Sequence, residues 1–200
     1  MPVRAVVSRR VPQQPRARET VTAVIEAVVR ILRRDGLAAV TTNRIAEVAG
    51  VSIGSVYQYF PDKRAIYAAL HERHAEDIGR VIDRALVDHA ESRLPELLRG
   101  LIDALIDAHA ADPQLHLVLA EVPHRSDGDR DLAVRLRRAL RLALAPQWRG
   151  PRRRRDLDQV SFVIATMIAA LAHASVQQPQ AISIAAAKAE ALRAVLAYLG

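Results

Sequence analysis

The stretch from Thr41 to Lys63, TTNRIAEVAGVSIGSVYQYFPDK, permits little besides two short helices joined by a tight turn. Thr41 or Thr42 can cap a helix by accepting a backbone N–H bond. Ile45, Val48 and Ala49 follow at helical spacing and mark one buried face. Gly50 falls where that helix must end, because glycine enters the left-handed conformation without a Cβ clash. Val51 is expected between the two helices, and Ser52 is the next cap. The second helix is predicted over Ile53 to Tyr59, with Val56 and Phe60 four apart and turned to one side. Pro61 prevents its continuation, and Asp62 caps a third segment.

The outward side of the second helix is the informative part. Ile53, Gly54, Tyr57 and Gln58 project away from Val56 and Phe60. A solvated helical hairpin has no use for glycine, tyrosine and glutamine displayed together. A helix entering the major groove does, because small residues let the backbone come close to phosphates and base edges. Tyr57 suits a phosphate hydrogen bond, and Gln58 has the two-pronged amide that pairs with adenine.

These residues closely resemble the DNA-binding motif of the TetR family of transcriptional repressors. The matching pieces are the Ile45-Ala46 pair, the Ala49-Gly50-Val51-Ser52 turn, Tyr57 and Phe60 three apart, and Lys63 shortly after the proline. The resemblance is strong over residues 20–70. It implies an all-α chain of about nine helices. An N-terminal three-helix helix-turn-helix DNA-binding domain (residues 18–64, motif 41–60) would precede a C-terminal helical ligand-binding and dimerisation domain (65–200). Ser52, Gly54 and Tyr57 match family positions that touch DNA. Around them, Ile53, Ser55 and Gln58 face the groove, Tyr59 and Lys63 reach phosphate at the far end, and Thr41, Thr42 and Arg44 flank the backbone. The resemblance further implies a homodimer on a palindromic double-stranded operator, released by a small-molecule effector. The alternative is a helical protein-interaction module without specific DNA binding.

Charge agrees with a nucleic-acid partner. Residues 1–60 hold nine basic side chains against four acidic ones, so +5 of the total +7 lies beside the motif. Residues 1–17 read as a disordered basic arm, either a solubilising tail or a source of extra DNA contacts. There is no cysteine, which excludes disulfides and thiolate metal sites. No secretory signal is evident, and a cytoplasmic location is expected. The longest apolar run, residues 160–176, is interrupted by Ser161, Thr166, His173 and Ser175, and it is shorter than the ~20 residues of a membrane span. No membrane partner is expected.

The rest of the chain reads as helix. Apolar periodicity predicts helices over residues 19–34, from 62 to about 88, 94–111, 114–121, 131–144, from 156 to about 176, and 181–199. Residues 123–129 and 146–155 are expected as loops. The helix from Asp62 is the expected lever between the two halves. The last two helices are apolar almost all round, which suggests a subunit interface. Phe162, Met167, Leu171, Leu192, Val195 and Leu199 are its candidate contacts. His109, His116, Trp148 and Met167 are candidate lining of an effector pocket.

Enzyme chemistry finds no motif. There is no HExxH, no glycine-rich phosphate loop and no GxSxG, and no cofactor is implied. His71 and His74 are three apart, while His109, His116, His124 and His173 look scattered. No metal site is expected from such spacing.

Overall fold

The computed structural model describes residues 15–121, 127–148 and 156–200. Among them are nine α-helices and two short 3-10 turns. The helices are α1 (Pro15–Asp35), α2 (Thr42–Ala49), α3 (Ile53–Tyr59), α4 (Lys63–Asp88), α5 (Leu94–Ala110), α6 (Pro113–Glu121), α7 (Asp127–Leu144), α8 (Leu157–Gln177) and α9 (Ile184–Leu199). No strand occurs among the described residues.

The chain forms two compact units. The first comprises residues up to Glu72 together with Val118–His124, and the second comprises Arg73–Leu117 and Arg125–Gly200. In the first unit α1 packs on α2 and α3. Val24, Val28 and Ile31 of α1, Ile45 of α2, Val56 of α3 and Phe60 just beyond it are all buried. Arg30 of α1 donates to the carbonyl of Val48 at 3.0 Å, tying the first helix to the end of the second.

The local signals act as the sequence requires. Gly36 ends α1 at a φ of 78°, and Gly50 ends α2 at a φ of 69°. The side chains of Thr41 and Ser52 accept from the backbone N–H groups of Arg44 and Ser55, at 3.2 and 3.0 Å. Asp62 accepts from Ala65 at 2.8 Å and starts α4. Val51 is half-buried rather than enclosed.

In the second unit α5 is the centre. Leu98, Leu101, Ile102 and Ile106 are fully buried, and α7, α8 and α9 pack around them. Pro95 sits in the first turn of α5, where its missing N–H costs nothing. Asp112 caps α6 by accepting from Leu115 at 3.2 Å. Helix α8 is 21 residues long, with the length and hydropathy of a membrane span. Val160, Ile164, Ile168 and Ala172 nevertheless pack into this unit's core. That burial explains an apolar helix without a bilayer.

Three boundaries differ from expectation. Helix α7 begins at Asp127, so residues expected as loop are helical. Helix α9 begins only after Ser183, whose side chain accepts from Ala186. Helix α1 starts at Pro15, four residues ahead of Glu19, because proline is tolerated in a first turn. Residues 15–17, expected in the basic arm, form the start of α1; the rest of that arm, the arginine run 152–155 and His124 lie outside the described residues.

Candidate nucleic-acid interface

Helix α3 carries the chemistry on one outward side. Val56 has no exposure at all, which turns Ile53, Gly54, Tyr57 and Gln58 outward; all four are exposed. Tyr57 is 51% exposed. Gly54 has nothing to fit around. A Cβ built there meets only Ser52 Oγ, at an ordinary 3.7 Å. The fold therefore does not demand glycine, and the space it leaves open faces outward.

The flanking residues form a rim. Tyr57 donates toward Thr42 Oγ1 at 3.5 Å, bringing the start of α2 beside the middle of α3. Ser52 and Ser55 hydroxyls are 2.8 Å apart at the start of α3. Thr41 is exposed, and Tyr59 is half-buried. Two expected phosphate contacts already have protein partners. Arg44 pairs with Glu47 at 2.7 Å, and the Lys63 ammonium donates to the Val40 carbonyl at 3.4 Å. The Arg44–Glu47 pair is a surface ion pair that an approaching phosphate can displace at small cost.

The expected interface residues divide. On α8, Phe162 is 56% exposed, with Met167 and Leu171 half-buried. On α9, Leu192, Val195 and Leu199 are buried in the unit's own core, against α5 and α8. Those three have no surface left to offer a second chain. Phe162 instead lines a shallow apolar groove between α7 and α8, together with Val134, Leu136, Arg137, Thr166 and Ala169.

The expected pocket residues also divide. Trp148 packs on the core beyond α7, and Met167 lies on α8. His109 and His116 meet. Their rings stack at 4.4 Å between centroids, 17° from parallel. His173 of α8 lies 4.9 Å from His109, and His74 of α4 lies edge-on to His116 at 4.4 Å. The histidines are therefore not scattered: four converge inside the second unit. No sequence signal marks this, because each comes from a different helix.

His109 and His116 are both buried. His109 Nδ1 lies 2.7 Å from the Leu105 carbonyl, which can only accept, so Nδ1 carries the proton. Burial lowers the pKa of His109 to about 4, against the raising effect of that hydrogen bond. Burial lowers that of His116 strongly, and the neighbouring imidazoles add to it. Both are neutral near pH 7.

The comparisons with known proteins agree with this architecture. Residues 94–199 match the tetracyclin repressor-like C-terminal domain, and residues 24–70 match the bacterial regulatory proteins of the tetR family. The HTH-type transcriptional repressor SCO4008 of Streptomyces coelicolor is 29% identical over 130 residues, 60% of each chain. The chain spans about half to three fifths of the length of the curated relatives it matches. A TetR-family transcriptional regulator structure from Streptomyces coelicolor superposes with a TM-score of 0.64 at 26% identity, covering 90% of this chain and 98% of that one. The FadR regulator of Bacillus subtilis, solved with stearoyl-CoA, shares the fold with a TM-score of 0.65 at 21% identity, covering 87% and 96%. One family pattern spans more than half of the sequence and a second covers the helix-turn-helix, and the chain belongs to the TetR family of DNA-binding transcriptional regulators.

Proposed function

We propose that the protein is a homodimeric repressor that binds a palindromic operator through α3 and leaves it when a ligand occupies the C-terminal unit. The observation that carries this reading is the outer side of α3: a capped, core-anchored helix that displays Gly54, Tyr57 and Gln58 and needs none of them for its own packing. Ile53, Gly54 and Gln58 face the bases, with Gln58 able to pair with adenine. Ser52, Ser55, Tyr57 and Thr42 hold phosphate, and Arg44, Tyr59 and Lys63 extend the contact along the backbone.

A two-fold dimer presents two such helices to grooves about one turn apart, ~34–36 Å. The exposed apolar groove around Phe162 is the surface that supports self-association. Helix α4 contributes residues to both units, which supports its role as the lever. A ligand acts only by binding one spacing of the reading helices better than the other. The stearoyl-CoA held by the FadR fold relative supports a ligand-receiving C-terminal unit.

Selection of bound duplexes from a random pool tests the reading. A palindromic site is expected, with affinity falling steeply as salt rises because counterions are released. Recovery of no common sequence, with binding insensitive to salt, favours the protein-interaction alternative.

A further inference from the structure

We propose that His109, His116 and His173 bind one divalent transition-metal ion of the zinc class inside the C-terminal unit. One ring nitrogen from each residue lies within 4.8 Å of the others. Ligands held at ~2.1 Å from a tetrahedral zinc stand ~3.4 Å apart, so closure takes side-chain movement of about an ångström.

Three features say that these rings form a site and not only a packed cluster. First, His116 Nε2 is fully enclosed and has no hydrogen-bond partner. A buried polar atom left in that state is destabilising unless something satisfies it. Second, His109 donates its Nδ1 proton to the Leu105 carbonyl at 2.7 Å. That bond makes Nε2 the unprotonated nitrogen, and a backbone carbonyl accepting from the other ring N–H is the arrangement by which proteins orient metal-bound imidazoles. Third, the cluster has an open end. His109 and His116 are buried while His173 is exposed, so an ion can enter from the His173 side.

The donor set selects the metal. Imidazole nitrogens suit zinc, copper, nickel and cobalt, whereas calcium and magnesium require oxygen. The chain has no cysteine, which excludes the soft thiolate sites. Three protein ligands leave a fourth position for water or an anion, or for His74, whose ring already lies against His116.

The inference concerns metal binding alone and holds whether or not α3 reads DNA. The test uses the full chain, stripped with chelator and titrated with zinc by calorimetry and with cobalt(II) by visible absorption. One ion per chain at micromolar affinity or tighter is expected, with the intense ligand-field bands of tetrahedral cobalt. His173→Ala, an exposed position, is expected to fold normally and to weaken binding at least tenfold, and His116→Gln is expected to do the same. Absence of binding, binding only at millimolar metal, or equal affinity in the wild type and His173→Ala overturns the proposal.

Discussion

The hydroxyl of Tyr57 lies 3.5 Å from Oγ1 of Thr42, joining α3 to the start of α2. The two oxygens are exposed, and their mutual bond is long and weak. A phosphate oxygen placed between them would receive two donors in better geometry. Tyr57→Phe is therefore expected to leave thermal stability within about 0.5 kcal/mol of wild type. Operator affinity is expected to fall about tenfold, the worth of roughly 1.4 kcal/mol. The salt dependence should stay unchanged, since the lost group is uncharged. Fluorescence anisotropy at several salt concentrations checks this, and unaltered affinity would remove Tyr57 from the interface.

Gly54 gives a stricter test. Its Cβ position is open, and its backbone is that of an ordinary helix, so a larger side chain is accommodated within the chain. Gly54→Glu is expected to keep the circular dichroism spectrum and the melting temperature. It should abolish specific binding, because a carboxylate then stands where bases and phosphates approach. Operator affinity equal to wild type would mean that α3 does not dock as described.

Phe162 tests the subunit contact. At 56% exposure, Phe162 is the most exposed large apolar side chain on α8 among the described residues. If the proposed dimer forms through this groove, Phe162→Glu is expected to give a monomer in sedimentation equilibrium, with helical content intact. Affinity for the full palindrome should then fall toward that for a half-site, because linkage of the two reading helices is lost. A dimer that survives the change places the interface elsewhere on the C-terminal unit.

The sequence disclosed the helix-turn-helix because every signal there is local. Thr41, Gly50, Ser52 and Asp62 each act within three or four residues of their own position. The C-terminal unit was legible in outline only. Apolarity of α9 does not say which partner its faces meet. Leu192, Val195 and Leu199 looked available for a second chain, yet α5 and α8 of the same chain cover them. The start of α7 was missed because Asp127 and Gly128 read as breakers, although both are compatible with a first helical turn. The sequence singles out His109 and His116 as pocket lining, but their meeting with His74 and His173 was not legible. His109 and His116 flank the Asp112-Pro113 break, and His74 and His173 come from remote helices. Only tertiary packing places the four rings together.

The proposed metal site and the proposed docking of α3 make a linked prediction. If zinc is the effector, saturating zinc should weaken operator binding by a factor in the common range of ~5–150. His173→Ala should keep the metal-free operator affinity and lose the response. Reciprocity gives an independent check: operator DNA must weaken zinc binding by the same factor, since both report one coupling free energy. Anisotropy titrations with and without zinc, and calorimetry with and without duplex, measure the two sides. Equal operator affinity in both metal states would assign zinc to holding α5, α6 and α8 together. The ligand that releases DNA would then be a different molecule, and the zinc site would persist as a structural feature of the fold.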